Sequence, residues 1–425
     1  MDFVPVSPEE VTSSWVEKLF KGLVAPLPVN VRVMRVKFHR ATKPGDNFGS
    51  YIVRFVVLLV KNGRAQEWSI IGKFLPKAKE LRDMLSEGGV FLKEAQAYID
   101  WAGAMFRLPT KSGNVLAPPL PRIFYGACSS RGSSILLEDL TTAGFKMLDK
   151  FAGLPEQEMF LCLTALAKLH ALSFALKNAS DIPTAKRFPN LIRLDLDDST
   201  EAKTRTNDMI KCIGELLSAT PGKEQQFKKF RAYFAKYEPA ERIAELADAG
   251  SEPMKMILHG DCWTNNIMFR YAKNSMGDEE PVEVKFVDLQ ATRYSHPAVD
   301  LAYFLFTSVP EKLRHDRTNE LLLCYYNKFF EYLEELMVTE IAKDKYPFED
   351  FRKDFALFAE LAFLNSCIVL PFIFGGKEDV PDIEKDFAID SVVTLRRRQM
   401  QSCSGTPLAS WILDLIQSVV DLDIL

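Results

Sequence analysis

Polar side chains that could do chemistry are concentrated in one short stretch of an otherwise apolar region, ILHGDCWTNNIMF at 257–269. An unpaired polar group in such a setting costs about 2 to 7 kcal/mol, so these residues must be used or satisfied. Asp261 and Asn266, five positions apart, suit phosphoryl transfer, in which an aspartate accepts a hydroxyl proton and an asparagine holds Mg²⁺. Because this spacing also arises by chance, with packing as the rival explanation, the assignment depends on other residues.

A second acidic residue, Asp288, ends the β-prone run VEVKFVDLQ, after a predicted hairpin that begins at Asn266. Aspartate and asparagine supply the hard oxygen ligands that Mg²⁺ prefers, and the absence of His/Cys clusters argues against zinc. The sequence therefore predicts Asn266 and Asp288 as metal ligands and Asp261 as the catalytic base.

A lysine stands among apolar residues in the predicted strand SIIGKFLP, where Lys73 shares a face with Ile71 and Leu75. A buried cation needs a partner, and Glu94 in VFLKEAQAY is the candidate, because a Lys–Glu pair anchors the α- and β-phosphates of ATP in kinases. The alternatives are a lysine that snorkels from an edge strand and a glutamate on an exposed helix surface.

Two further segments are predicted to contact ATP. The turn between the first two predicted strands contains Gly45, Asn47, Gly49 and Ser50. Its backbone N–H groups could fold over phosphates, although an ordinary hairpin turn needs the same residue types. In LLEDL, the carbonyl of Glu138 and the N–H of Leu140 could pair with adenine, while Glu138 and Asp139 could equally cap the helix that follows.

Other polar residues are predicted to support the structure. Asp300, at a helix start in SHPAVDLAYFLF, would accept N–H bonds from the loop that His259 fixes. His170 is predicted to be a satisfied buried histidine, and Cys262 a small buried side chain, because no base with a clear role accompanies it.

These residues need elements that position them, and the periodicity predicts two lobes. A capping pattern at Ser7-Pro8-Glu9-Glu10 predicts an initial helix. Strands are predicted at 31–40, 51–60, 67–76 and twice within 121–140, with a helix at 87–103. Helices dominate the remainder, at 155–177, between 190 and 250, and at 310–341, 349–374 and 406–423, interrupted by short strands within 256–288. The predicted fold is α+β and bilobal, with a β-rich N-terminal lobe at 1–140, a helical C-terminal lobe at 141–425, and a cleft between them that suits a nucleotide.

Length and composition agree with this division. A chain of 425 residues exceeds the size of a single core, and 47% hydrophobic with 26% charged residues is ordinary for a globular protein. The net charge of -4 and the lack of long Lys/Arg blocks argue against a nucleic-acid partner. Seven scattered cysteines without a C-x-x-C pair and an N-terminus without a secretory h-region predict a cytoplasmic protein. The longest uncharged apolar segment, 361–374, is short for a membrane span, so none is predicted.

Taken together, the motifs resemble the ecdysteroid kinase-like family, relatives of choline kinases and aminoglycoside phosphotransferases. The resemblance rests on KFLP, FLKEAQAY, LLEDL, HGDCWTNNIMF, FVDLQ and DLAYFL. It implies a protein-kinase-like fold, ATP with Mg²⁺, Asp261 as base, Asn266 and Asp288 as metal ligands, and transfer to a hydroxyl of a steroid or other small molecule. Leu-Gln follows Asp288, and only twelve residues reach Asp300, which leaves no room for a protein-kinase activation segment.

Two alternatives stay open at this stage. A choline or ethanolamine kinase would need an aromatic cage or acidic residues for its cationic acceptor. A catalytically silent nucleotide-binding scaffold would not need to keep every polar element that this chain has. Residues 178–255 and the C-terminal helices are expected to form the acceptor pocket, but their pattern names no ligand.

Overall fold

The computed structural model describes residues 3–22, 31–42, 49–129, 131–191, 200–249, 252–339, 341, 343–374, 389–401 and 403–425. Its strands are β1 (Val31–Arg40), β2 (Tyr51–Lys61), β3 (Arg64–Phe74), β4 (Ile123–Ser129), β5 (Gly132–Glu138), β6 (Phe145–Lys146), β7 (Met256–Leu258), β8 (Ile267–Lys273), β9 (Glu279–Phe286) and β10 (Arg293–Ser295). Its first helices are α1 (Ser13–Gly22), α2 (Lys79–Glu87), α3 (Val90–Gln96), α4 (Gly103–Met105), α5 (Glu156–Asn178), α6 (Thr184–Arg187) and α7 (Thr200–Ala219). The later ones are α8 (Glu224–Lys236), α9 (Pro239–Asp248), α10 (Ala298–Ser308), α11 (Glu311–Glu335), α12 (Phe348–Phe374), α13 (Ile389–Gln401) and α14 (Pro407–Asp421).

A five-stranded antiparallel sheet in the order β1-β2-β3-β5-β4 forms the N-terminal lobe. The predicted three-strand meander is present, and its second turn is Asn62-Gly63, where both residues have positive φ, as tight hairpin turns require. Alternate residues of β2 are buried, because side chains alternate across a strand, and these pack against Trp15 and Leu19 of α1. This face is the core of the N-terminal lobe.

The start of the chain differs from the predicted helix. Pro8–Glu10 forms a 3-10 turn, and α1 begins only at Ser13. Ser7 makes no side-chain cap, and the Glu10 carboxylate accepts instead from the backbone N–H of Val6 at 2.9 Å. The capping motif therefore tightens a turn and does not start the helix.

The helical segment beside the sheet is longer and less regular than the predicted helix at 87–103. It begins with α2, whose Leu81 and Leu85 are buried, and continues after Gly88-Gly89 into α3. A π-helical turn at Ala97–Ala102 then connects α3 to α4. The turn buries Tyr98 and Trp101 in the same core as Phe91 of α3.

The chain leaves the sheet after Glu138. Asp139 caps the 3-10 turn Leu140–Ala143 by accepting from Thr141 N at 3.1 Å, and it pairs with Arg54 of β2 at 2.6 Å. The next strand, β6, belongs to a second sheet in the order β6-β8-β9. The connector is thus fixed to both lobes.

Helices make up most of the C-terminal lobe. The long helix α5 packs against α11 and against β7 and β9, while α10 packs on α12. Among the residues that the structure describes, two helices, Glu156–Asn178 and the stretch Phe348–Pro371, are long and apolar enough to cross a membrane, but both are mostly buried within the protein, as core helices are. The fold is α+β and bilobal, as predicted.

Candidate active site

Lys73 lies on an interior strand, because β3 runs between β2 and β5. Its Nζ donates to both carboxylate oxygens of Glu94 at 2.7 Å and to Asp288 Oδ1 at 3.0 Å. Lys73 is 4% exposed and Glu94 1% exposed. The structure therefore contradicts the two alternatives for this pair, a snorkelling lysine and a surface glutamate.

In this cluster the ammonium group of Lys73 pairs with two carboxylates, those of Glu94 and Asp288. Burial would lower the pKa of Lys73, but Asp288 and Glu94 outweigh burial and hold it above its usual value. Burial raises the pKa of Glu94 to about 7; Lys73 opposes this effect, while the negative charge of Asp288 adds to it. The cluster carries more negative than positive charge, which suits a site that receives further cations.

The loop after β7 is held by Asp300 at the start of α10. Asp300 accepts from the backbone N–H of His259 through Oδ2 and from that of Gly260 through Oδ1, each at 2.9 Å. Burial alone would raise the pKa of Asp300, but the hydrogen bond from His170 and the nearby positive charges lower it. The two backbone donors at fixed positions give this loop one conformation.

His259 fixes the loop from its other side. Its Nδ1 accepts from the backbone N–H of Asp261 at 3.2 Å, so its Nε2 carries the proton and donates to the carbonyl of Val287 at 3.1 Å. Asn266 also contributes, because its carbonyl accepts from Val287 N at 2.9 Å. The loop of Asp261 is therefore bonded directly to the segment that carries Asp288.

Gly260 has φ of +86°, a left-handed conformation that a glycine adopts readily. A Cβ added at this position would overlap the carbonyl oxygen of Ala291. The close approach of Ala291 thus requires a glycine directly before Asp261.

Both carboxylate oxygens of Asp261 accept hydrogen bonds. Tyr303 Oη donates to Oδ1 at 3.0 Å, and Asn266 Nδ2 donates to Oδ2 at 2.8 Å and to the Asp261 carbonyl at 2.9 Å. Because Nδ2 faces these acceptors, Asn266 Oδ1 remains for another partner such as a metal ion. Burial and the charge of Asp288 raise the pKa of Asp261.

Asp288 adopts φ of +71°, which is uncommon for a residue other than glycine. Such backbone conformations cost of order 1–3 kcal/mol and cluster at functional sites. Here the conformation coincides with the contact between Asp288 and Lys73, so it supports a functional role for this aspartate.

Of the predicted phosphate loop, Gly45 and Asn47 lie outside the described residues. Gly49 and Ser50 are described, and Ser50 is buried. A Cβ added at Gly49 would lie 2.9 Å from Gln290 Oε1, so this end of the loop contacts the segment just after Asp288. Gly49, from the N-terminal lobe, therefore lies against the segment that carries Asp288.

Glu138 and Leu140 lie at the connector between the lobes. The Glu138 carboxylate accepts from Arg122 N at 3.1 Å and from Lys285 Nζ at 3.1 Å, and its backbone N–H donates to the Arg122 carbonyl. Leu140 is buried. The side chain of Glu138 thus bonds the connector to β9. The adenine contact predicted here involves the backbone and not this side chain.

Tyr303 is a site residue that the sequence reasoning missed. It stands three positions after Asp300 in DLAYFLF, so the two lie on the same face of α10. That spacing was an available signal, but a tyrosine in an apolar run is usually part of a core. His170 and Cys262 behave as predicted: His170 bonds to Asp300 and Tyr325, and Cys262 is fully buried.

A model of the ecdysteroid kinase-like family matches residues 44–338, well over half of the chain. No curated protein matches the chain significantly.

Among solved structures, a mutant aminoglycoside 2'-phosphotransferase-IIIa in its GDP complex has 10% identity and a TM-score of 0.40, with 97% of each chain covered. The amicoumacin kinase hAmiN in complex with AMP-PNP, Ca²⁺ and Ami has 12% identity and a TM-score of 0.40, covering 94% of this chain and 97% of its own. Similarity at this level does not identify an activity.

The family match covers the segments that contain Lys73, Glu94, Asp261, Asn266 and Asp288. The chain therefore belongs to the ecdysteroid kinase-like family and is a kinase-type phosphotransferase that acts on hydroxyl groups of small molecules.

Proposed function

We propose that the protein transfers the γ-phosphate of ATP, with Mg²⁺, to a hydroxyl of a steroid-like or other small lipophilic molecule. The observation that carries the proposal is the contact of Lys73 with both Glu94 and Asp288, beside a loop that holds Asp261 and Asn266. Residues far apart in the chain meet here with the residue types that phosphoryl transfer uses.

In this proposal Asp261 is the catalytic base. Its raised pKa brings a carboxylate closer to the pKa at which a general base works well near neutrality. The bonds from Tyr303 and Asn266 fix its orientation and leave lone pairs free for the proton of an acceptor hydroxyl. Asp261 thus aligns the hydroxyl for attack on the γ-phosphate.

Lys73 and Glu94 are proposed to position the nucleotide. The ion pair fixes the ammonium group beside Asp288, where it is proposed to bind the α- and β-phosphates. The backbone around Gly45, Asn47, Gly49 and Ser50 is proposed to cover the phosphates, and the backbone of Glu138 and Leu140 to pair with adenine.

Asn266 Oδ1 and the Asp288 carboxylate fit Mg²⁺, which favours oxygen ligands and keeps water and phosphate oxygens in its remaining positions. The described residues contain no group of three or more His, Cys, Asp or Glu that could hold a metal by themselves. Asn266 and Asp288 are proposed to share the metal with the phosphates of a nucleotide. When bound, Mg²⁺ would neutralise charge on the β- and γ-phosphates.

The lipophilic acceptor is proposed from the family. A groove of about 780 Å³ between α7 and α8 is lined by Phe227, Phe230 and Phe234, but it includes none of the site residues, so it does not support an acceptor position. The location is proposed to be cytoplasmic, in agreement with seven free cysteines.

The test is to incubate the full chain with Mg-ATP and a mixed panel of steroids, alkaloids and amino alcohols, and to search by mass spectrometry for products heavier by one phosphate. The proposal expects phosphorylation of a lipophilic alcohol, reduced by about 10² to 10⁴-fold in Asp261→Asn. Products from amino alcohols alone would instead identify a choline or ethanolamine kinase. ATP binding without any product would favour the silent scaffold.

A further inference from the structure

Arg293, the first residue of β10, is a half-buried cation that the proposed mechanism does not use. In the part of the chain that the structure describes, its Nε is buried and has no hydrogen-bond partner. A buried guanidinium N–H without an acceptor costs free energy, so its retention calls for a ligand or a strong electrostatic reason.

The position of Arg293 is next to the catalytic loop. It pairs with Leu258 of β7, and that strand leads directly into His259, Gly260 and Asp261. Ala291 lies two residues before Arg293, and its carbonyl oxygen is the atom that a Cβ at position 260 would overlap. Arg293 is thus carried by the same backbone contacts that fix the loop.

The surroundings of Arg293 are acidic. Burial lowers the pKa of Arg293 below its usual value, although nearby acidic groups, first Asp300 and then Tyr303 and Asp261, oppose this. Asp300 already accepts two backbone N–H bonds and one from His170, and both oxygens of Asp261 are also engaged. The guanidinium therefore has negative neighbours, yet its Nε remains available.

The catalytic loop lacks a cation of its own, since DCWTNN from Asp261 to Asn266 contains no lysine or arginine. Lys73, paired with Glu94 and Asp288, is assigned to the α- and β-phosphates and not to the transferred group. Phosphoryl transfer spreads negative charge over three oxygens of the moving group, and a guanidinium presents its donors in a planar fork that matches such oxygens.

We propose that Arg293 is a catalytic residue that binds the phosphoryl group in transit, from its position beside the loop of Asp261. The reaction forms the bond from the acceptor oxygen to phosphorus and breaks the bond from phosphorus to the β-phosphate oxygen of ATP, while Asp261 takes the hydroxyl proton. Arg293 donates N–H bonds to the oxygens of the transferred group during this step. This role rests on the proposed function.

The test requires no knowledge of the acceptor. ADP with Mg²⁺ is titrated into the full chain by calorimetry, with and without aluminium fluoride, whose planar or octahedral complex imitates the phosphoryl group in transit. Parent protein, Arg293→Gln and Arg293→Lys are compared with Arg270→Gln, a matched control that removes a half-exposed arginine paired with Glu283. Thermal unfolding of each variant verifies that it is folded.

The parent is expected to bind ADP more tightly when aluminium fluoride is present. Arg293→Gln should bind ADP alone with unchanged affinity but lose about 10- to 100-fold of the fluoride-dependent gain, the worth of one charge-assisted hydrogen bond. Arg293→Lys should keep part of the gain, and Arg270→Gln all of it. A full gain in Arg293→Gln, or no gain in the parent, overturns the role of Arg293 while nucleotide binding stands. Failure of the parent to bind ADP would instead contradict the proposed function.

Discussion

Tyr303 Oη lies 3.0 Å from Asp261 Oδ1 and donates a hydrogen bond to it, so a buried helix of the C-terminal lobe holds the proposed base. Asp300, one turn earlier on the same helix, holds the backbone of the two residues before Asp261. Helix α10 therefore fixes both the main chain and the side chain of the loop.

Tyr303→Phe should shift the acid limb of the pH–rate profile to higher pH. Burial and Asp288 raise the pKa of Asp261, and the bond from Tyr303 opposes this, so removing the bond raises the pKa further. Because Asp261 must be ionised to act as a base, a larger fraction of the variant than of the parent is protonated and inactive at any pH on the acid limb. Near neutrality, turnover should fall by about 2- to 10-fold, as expected for one hydrogen bond.

The matched control is Tyr326→Phe, which removes another partly buried hydroxyl that donates to the carbonyl of Tyr346 at 2.7 Å. Its profile should coincide with that of the parent. An acid limb that stays in place or moves to lower pH in Tyr303→Phe would show that this tyrosine does not act on the base.

Glu94→Gln should remove a pH dependence of stability. The pKa of Glu94 is about 7 in the folded protein and 4.5 in an ordinary setting, so the folded state binds the proton more tightly than the unfolded state. The stabilisation that Glu94 gives by binding this proton is fully present below pH 4.5 and is lost as pH rises through 7. Relative to Glu94→Gln, the parent should lose about 1 to 3 kcal/mol of unfolding free energy across this window.

Urea unfolding of both proteins at several pH values measures this difference. Glu334→Gln provides the comparison, because Glu334 is exposed and forms only a surface pair with Lys111. A stability difference between parent and Glu94→Gln that does not change with pH would contradict the assigned pKa of Glu94.

Gly260→Ala should destabilise the protein by about 3 kcal/mol or more. Gly260 and Gly277 both have positive φ, +86° and +92°, so alanine costs about 1–2 kcal/mol of backbone strain at either position. Only at Gly260 would the new Cβ overlap a backbone atom, the Ala291 carbonyl oxygen, whereas Gly277 has open space around it. Equal losses for the two variants, measured by urea unfolding, would show that the close approach is not constraining.

Residue types and spacing were sufficient to predict that Lys73 and Glu94 pair, because a cation in an apolar strand requires a partner. They also predicted the bonds from the loop to Asp300, since a carboxylate at a helix start attracts backbone N–H groups. The β-meander followed from the alternation at 31–40, the β-prone run at 51–60 and the turn KNGRAQ after it.

The remaining features depend on tertiary contacts that local patterns do not report. Helix α2 is short and mostly polar, and only its packing through Leu81 and Leu85 stabilises it. Strand β6 has two residues and exists because β8 lies beside it. Tyr303 and Arg293 are ordinary residues in sequence, and their surroundings become evident only when α10, β7 and β10 meet.

The central claim is that Asp261 is the base of a nucleotide-dependent phosphotransfer site. It is tested most directly by measuring ATP affinity and turnover on one preparation of Asp261→Asn, with the acceptor found by mass spectrometry. We expect ATP to bind as tightly as to the parent within a few-fold, and turnover to fall by about 10² to 10⁴-fold, the usual worth of a positioned base. Turnover at the parent rate would contradict the claim.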